Sequence, residues 1–411
     1  MMKYDITINY KILTMNILFL VTLFLAPIGY LTIRSSLFLE IILLFIIFNV
    51  IIYHKIRFSR TIYLLVLLFL SIILWLIPRL IEGNHILGTI EIIKMFRSIA
   101  MPFFYSLFLF IFIKNFTVEQ KLKIFYIIII VISIDAYFSS IMYNLFFFRQ
   151  PEALYPWSLI NLEQDGRILN PNDIPTLFAY PYLHSEVFLF GVVSIYTLAL
   201  KWNKLIFLNL FIVHALFQVS TAILGLIVVF LIYFSFIKIR YVFIFFGLIA
   251  LSILLLWDFI EPVLIFYDYF ESDIFINILG LDRLVLYFQN VSLYNQLFGT
   301  FLPSVISQES GYGTEIGYFR VQMKFGLIFF LLVGFIFYYV SYISFKRYRL
   351  SHDKKYLIYS LVPIYIFIDG LHYFNFFKVQ TTYICLLIFF LILDDTLIKR
   401  NSINEKNISY N

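Results

Sequence analysis

Residues 308–340 read QESGYGTEIGYFRVQMKFGLIFFLLVGFIFYYV. Glu309, Glu315, Arg320 and Lys324 stand around Gly311, Gly313 and Gly317, at the mouth of a stretch, Leu327 to Val340, that is almost wholly aliphatic and aromatic. Fourteen positions interrupted only by Gly334 suit a helix in lipid, where ionisable groups are costly unless they face protein, water or a ligand. At about 100° per residue Glu315, Tyr318 and Gln322 share one helix face, and Arg320 and Lys324 lie roughly opposite. Both faces cannot meet lipid at depth. The stretch therefore reads as a re-entrant or tightly turned wall of a cavity that binds something charged, or else as a snorkelling cap on the helix that follows.

The rest of the chain agrees with a membrane setting. Of 411 residues 62% are hydrophobic and only 13% charged, against roughly 25% charged in a soluble chain. Each spanning helix needs about 20 mostly apolar residues. Twelve segments qualify: 12–33, 37–53, 61–78, 98–113, 124–146, 184–200, 205–219, 221–237, 241–259, 318–343, 356–373 and 377–394. The seventh and eighth are close enough to form a tight hairpin. The first is too long for a signal-peptide core. The expected fold is thus an all-α integral membrane protein of about 12 transmembrane helices, forming a single polytopic domain over 1–411.

Charge gives the orientation. The connections HKIRFSR (54–60), KNFTVEQKLK (114–123), KWNK (201–204), KIR (238–240) and FKRYRLSHDKK (345–355), the tail from Lys399, and Lys3 and Lys11 all fall on one side, and they hold 20 of the 30 Lys and Arg. Basic loops stay cytoplasmic, so both termini are expected inside. Two long connections, at about 149–183 before the sixth helix and 260–317 before the tenth, are then external. Both mix acids, prolines and aromatics and look folded.

With that orientation the ionisable residues of the apolar segments gather in the outer half. Glu40 is near the outer end of the second segment, His184 and Glu186 open the sixth, and Asp369 and His372, three apart on one face, lie near the outer end of the eleventh. Asp135 is close to the middle of the fifth. A cavity open to the outside explains the pattern; tolerance of charge near headgroups is the alternative for any single residue.

Absent motifs narrow the chemistry. There is no G-x-x-x-x-G-K-[ST] for a nucleotide, no H-E-x-x-H among six scattered histidines, and no G-x-S-x-G elbow. The lone cysteine, Cys385, excludes a disulfide within the chain and a Cys-based zinc site. Glu271-Ser-Asp273 is a weak acidic pair, and no metal, cofactor or nucleic acid is expected.

The segment LDRLVLYFQNVSLYNQLFGTFLPS (281–304), followed by ESGYGTEIGYFRVQMKFGLIFFLLVGF (309–335), resembles the O-antigen polymerase and ligase superfamily. In that group an Arg precedes a "pl-f-G-x-G" stretch, a polar turn follows, and then a helix containing "y-G-l-i". The matching positions are Arg283, Leu297-Phe298-Gly299 and Phe325-Gly326-Leu327-Ile328. Ser220-Thr221 resembles the family's "t-x-S-R" entry without its Arg. Thr314-Glu315 stands where the ligase branch has His-Asn, which favours a polymerase. The resemblance covers roughly 180–345.

It implies a Wzy-type polymerase of lipid-linked repeat units for O-antigen or capsule, acting at the external face of a bacterial cytoplasmic membrane. Donor and acceptor would be glycans on undecaprenyl pyrophosphate, a substrate rather than a cofactor. Other polysaccharide-assembly membrane proteins are implied as partners beside the lipid bilayer. Arg283 and Arg320 would hold the leaving pyrophosphate, since the guanidinium fork binds phosphate oxygens bidentately and stays charged. Arg167 and Lys378 are further cations from external segments. Glu315 would orient or deprotonate the acceptor hydroxyl. The pairs Asp369 with His372 and His184 with Glu186 would orient sugars or serve as bases. Tyr318, with Tyr155, Trp157 and Tyr312, would offer aromatic faces to sugar rings.

A flippase of the same lipid-linked oligosaccharide is the rival reading. Twelve helices and a charged cavity fit it, but transporters tend to bind near the midplane, whereas these charges are skewed outward. A membrane glycosyltransferase with another polyprenyl donor is a third. The orientation itself can be checked. Cysteines placed at Asn170 and Ser307 in a Cys385→Ser background should react with an impermeant thiol reagent on intact cells. Those at Ser59 and Ser351 should stay protected until the membrane is opened. Labelling of the second pair in sealed cells would invert the topology.

Overall fold

The computed structural model describes residues 102–146 (apart from 108 and 112), 183–217, 220–237, 281–299, 317–371 and 379–408, with isolated positions at 66, 70, 240, 242, 243 and 247. The first two apolar segments, most of the third and ninth, and the connection at about 149–182 lie outside the described residues. So do 260–280 and 300–316 of the second external connection. Those described form helices and short turns, with no strand among them. In chain order, after the short helix Pro102–Ile111, they are α1 (Val118–Phe146), α2 (Leu183–Leu200), α3 (Lys204–Phe217), α4 (Ser220–Ile237), α5 (Leu281–Asn290), α6 (Leu293–Phe298), α7 (Gly317–Ser351), α8 (Lys354–Asp369) and α9 (Val379–Ile408).

Polar punctuation starts these helices within otherwise apolar sequence. Thr117 and Gln120 form a reciprocal capping box at α1: the Gln120 N–H donates to Thr117 Oγ1 at 3.3 Å, and the Thr117 N–H to Gln120 Oε1 at 2.9 Å. Asn203 Oδ1 accepts the Leu205 N–H at 2.9 Å and begins α3. Between α7 and α8 the chain reverses over Ser351-His352-Asp353. His352 takes a left-handed φ of 54°, and Asp353 Oδ1 accepts the Lys355 N–H at 3.1 Å. α1 starts six residues before the apolar segment that suggested it, and α7 and α9 run on past theirs into the basic stretches, because Lys and Arg are good helix formers.

α2, α8 and α9 form the centre of the bundle, and residues 187–199, 356–366 and 381–393 are almost wholly buried. Large aromatics fill it: Tyr196 stacks on Tyr359 at 5.7 Å, and Phe125 meets Tyr196 edge-on at 4.9 Å. Pairs of this kind add about 0.5–1.5 kcal/mol beyond their area. The outer helices use polar links. Tyr137 Oη donates to Asn209 Oδ1 at 2.7 Å, and Asn209 Nδ2 donates to Ser133 Oγ at 2.8 Å, joining α1 to α3.

Among the described residues one helical stretch, Phe325–Ser351, is long and apolar enough to cross a membrane. Its packing is two-sided. Phe329, Val333, Ile336, Phe337 and Val340 face the core, whereas Leu331, Phe335, Tyr338 and Tyr342 form a stripe 46–63% exposed.

The basic end of the bundle is held by charge. Lys355 Nζ lies 2.8 Å from Asp395 Oδ2, and Tyr359 Oη donates to the same oxygen at 3.1 Å. Burial acts to lower the Lys355 pKa, but the hydrogen bond and charge of Asp395 outweigh it and hold the ammonium above the usual lysine range. Lys121, at the start of α1, goes the other way: burial lowers its pKa, only partly offset by Asp394 and Asp395. A base whose pKa rises on folding contributes stability below its unfolded pKa and loses it as pH climbs through the folded value. Asp395→Asn should therefore cost about 1–2 kcal/mol near neutrality, between an exposed and a buried pair. In thermal unfolding of the purified protein, the gap to the parent should narrow only above the ordinary lysine value of 10.5.

Candidate functional site

The start of α7 is built around one residue. Gly326 has φ 88° and ψ 163°, which interrupts α7 as two helices, 317–325 and 327–351. A left-handed φ is strained for any residue with a Cβ. The glycine is also required by contact: a Cβ there would meet Leu297 O, and would lie 2.5 Å from both Gly299 N and Phe298 C. The C-terminal end of α6 is seated directly on the break.

The segment before the break folds back along the bundle. Ser341 Oγ donates to the Ser360 carbonyl at 2.8 Å, which sets the level of α7 against the antiparallel α8. Phe367, seven residues further along α8, is then level with Gly334, seven back along α7. Tyr318 is sixteen residues before Gly334, about 24 Å away in a straight helix, yet its ring packs on Phe367 at 5.0 Å and on Phe330 at 5.5 Å. Gly326 lies midway between Tyr318 and Gly334, where a reversal brings the two level. Residues 317–325 are thus a helical segment that folds back beside α8 and the 327–351 half of α7, turned at Gly326.

α5 and α6 brace this segment from the other side. Tyr287 is buried with Met323, flanked by Val291 and Phe319, and the Phe288 and Phe319 rings lie 6.4 Å apart. Burial pushes the Tyr287 phenol up to about 12. Gln296 Nε2 donates to the carbonyls of Phe288 at 3.0 Å and Val291 at 2.7 Å, clamping α6 under the end of α5. These two helices lie in the 260–317 connection, where the sequence reading placed folded chain without assigning helices. The apolar spacing of Leu281, Leu284, Tyr287 and Phe288 is the signal that marks α5.

Arg283 stands one turn before Tyr287 on α5, and Arg320 directly follows Phe319 on the re-entrant segment. The two arginines are thereby on elements in contact; their side chains, and that of Lys324, lie outside the described set. Gln322 is buried and Tyr318 half-buried. Glu315, Arg167, His372 and Lys378 lie outside the described residues altogether, as do the aromatic candidates Tyr155, Trp157 and Tyr312.

Tyr318 and Asp369 do come together. Asp369 ends α8, is fully buried, and is within electrostatic reach of Tyr318, Tyr365 and Cys385. The Tyr196–Tyr359 and Gly191–Tyr365 contacts make α2 antiparallel to α8. The opening turn of α2, with His184 and Glu186, is thereby at the same end of the bundle as Asp369, and the Lys355–Asp395 pair is at the other.

Below Asp369 is a buried pair absent from the sequence reading. His214 Nε2 and Tyr365 Oη are 2.9 Å apart, and His214 Nδ1 is 2.7 Å from the Leu210 carbonyl. A carbonyl only accepts, so Nδ1 carries the proton and Tyr365 donates to Nε2. The Tyr365 ring is stacked on Phe188 at 5.9 Å and fills space that side chains at Gly191 and Gly225 would occupy. An ionisable residue within an apolar run was signal enough for His214; nothing local marks Tyr365.

No protein-family model, no curated protein and no solved structure matches the chain.

Substituting the junction separates backbone strain from helix propensity. Gly326→Ala should destabilise by about 1–3 kcal/mol from φ alone, with more from the clash on the α6 backbone. Gly334→Ala has nothing within 4 Å of the added methyl, so it should be neutral or stabilising by up to about 1 kcal/mol. Thermal unfolding of the two purified variants decides. Equal midpoints would show that the Gly326 geometry carries no load.

Proposed function

We propose that the chain is a multi-pass protein of a bacterial cytoplasmic membrane, both termini inside, that polymerises undecaprenyl-pyrophosphate-linked oligosaccharide repeat units at the external face. Support for the membrane setting comes from composition and from the apolar stripe of Leu331, Phe335, Tyr338 and Tyr342, which a soluble surface rarely shows. The chemistry is supported chiefly by one observation. The stretches that carry the family resemblance, Leu297–Gly299 and Phe325–Ile328, are some thirty residues apart in sequence and meet backbone to backbone at Gly326. That junction puts the elements bearing Arg283 and Arg320 against each other.

In this reading an acceptor sugar hydroxyl attacks the anomeric carbon of the donor glycan. A new glycosidic C–O bond forms, the bond to pyrophosphate breaks, and undecaprenyl pyrophosphate leaves with the electron pair. Glu315 takes the hydroxyl proton, and Arg283 and Arg320 stabilise the charge that grows on the departing oxygens. The energy is already present in the donor, which accords with a chain lacking a nucleotide motif.

Purified protein, a lipid-linked repeat unit and a gel that resolves chain length test it. Arg283→Ala or Arg320→Ala should lower the rate roughly 30- to 1,000-fold, which is about 2–4 kcal/mol of transition-state stabilisation, while the protein still accumulates. Lys at either site keeps the charge without the fork and should restore only part. Glu315→Gln should cripple transfer yet leave donor binding intact. Near-normal polymer from both Arg→Ala variants would remove these residues from the mechanism. In a deletion strain, capped single repeats fit a lost polymerase, and repeats trapped inside would favour the flippase reading.

A further inference from the structure

The apolar side of α5 is wider than its protein contacts require. At about 100° per residue Tyr287, Phe288 and Val285 follow one another around an arc of about 160°, and Asn290 lies roughly opposite Phe288. Coverage falls across that arc. Tyr287 is buried against Met323, and the Phe288 ring lies 6.4 Å from Phe319 yet Phe288 is 42% exposed. At the far edge Val285 is exposed, as are Leu293 and Tyr294 in the opening turn of α6, all three to 52–71%. Gln296, one turn on, donates to the carbonyls of Phe288 and Val291 and so holds that opening turn at the end of α5. Four large apolar side chains are thus exposed within residues 285–294.

The break at Gly326 gives them a depth. The first charged residue after Gly326 is Lys346, 20 residues on. Residues 327–351 are helical, so the two stand about 30 Å apart, the thickness of a hydrocarbon core. Lys355 marks the same level as Lys346: Ser341 donates to the Ser360 carbonyl, and each lysine lies five residues from that contact toward the α7–α8 turn. With the lysines at one boundary of the core, Gly326 is at the other. α6 is seated on Gly326 backbone to backbone, and α5 is held to α6. Their exposed apolar side chains are therefore at the height where an amphipathic helix enters a leaflet and where tyrosine is favoured.

From this height we infer that α5 and the opening turn of α6 rest on the lipid surface, with Val285, Phe288, Leu293 and Tyr294 immersed in the outer leaflet and Asn290 turned to water. The patch is small for a protein partner, since a stable protein interface takes about 20–30 residues a side. The inference rests on the membrane setting proposed above and not on the transfer chemistry. A lipid-linked pyrophosphate keeps its charge at this same boundary, so the anchor holds the elements bearing Arg283 and Arg320 at the height of that group.

The test uses full-length protein in nanodiscs of phosphatidylglycerol and phosphatidylcholine. Val285→Cys, Leu293→Cys, Asn290→Cys and Phe335→Cys, each with Cys385→Ser, carry a polarity-sensitive fluorophore. Emission is quenched separately by a lipid with a nitroxide near the top of its acyl chain and by iodide in the water. Labels at 285 and 293 should be quenched several-fold more by the nitroxide lipid than by iodide. Their emission should lie to the blue of the label at 290, which should respond the other way. Position 335, on the exposed stripe of α7, is the membrane reference. If lipid quenches the reference while iodide reaches 285 and 293, the anchor is overturned and the membrane setting stands. Protection of 285 and 293 from both quenchers also overturns the anchor, in favour of a cover made by a second copy, another protein or another part of this chain. A reference that the nitroxide lipid does not quench overturns the membrane setting and the anchor with it.

Discussion

The approach of the α6 backbone to Gly326 is the contact on which the arrangement of α5, α6 and the start of α7 depends. A side chain of any size at this position would push the Leu297 carbonyl and the Phe298–Gly299 peptide away. With them would go the seat of α6, the Gln296 clamp that ties α6 to α5, and the reversal that lays 317–325 beside the bundle. Apolar contacts such as Tyr287 with Met323 hold the pieces together, and the backbone-to-backbone fit sets how closely α6 approaches. Close-packed interiors transmit such displacements rather than absorbing them.

The bundle is chemically different at its two ends. At one end Lys355, Asp395, Tyr359 and Lys121 share a partly buried ionic cluster close to basic sequence. At the other end lie Asp369, Tyr318 on the folded-back segment, and the opening turn of α2. Between them the core is aromatic and aliphatic, interrupted by the His214–Tyr365 pair. An apolar middle with polar ends suits a lipid environment, and the ionic contacts among the described residues gather at the ends.

The long central helices were legible because their sequence is monotonous. The apolar run from Val187 to Leu200 admits no alternative to a buried helix, whereas the Thr117–Gln120 box that begins α1 lies in a stretch the charge pattern marked as a connection. The reversal at Gly326 was not. Phe325-Gly326-Leu327-Ile328 reads as an unbroken apolar helix, and a glycine there suggests flexibility without giving a direction. The feature that fixes the direction is the α6 backbone some thirty residues earlier, and local patterning carries no information about it. α5 was overlooked for a different reason: at ten residues its amphipathic pattern is too short to stand out in a connection rich in turn formers. Likewise Tyr318 and Asp369 were each identifiable as polar groups in apolar surroundings, but their proximity depends on the fold-back.

The Tyr365 phenol fits because two helices give up their side chains to it, Gly191 from α2 and Gly225 from α4, and because α3 supplies His214 to accept its hydrogen bond. Four positions spread over about 175 residues thus answer to a single volume and a single hydrogen bond. None can drift alone: a methyl at 191 evicts the ring, and a smaller residue at 365 leaves both a void and an imidazole nitrogen without its donor. Such positions change together or stay fixed, so chains built on this bundle would carry glycine, histidine, glycine and tyrosine as one inherited set.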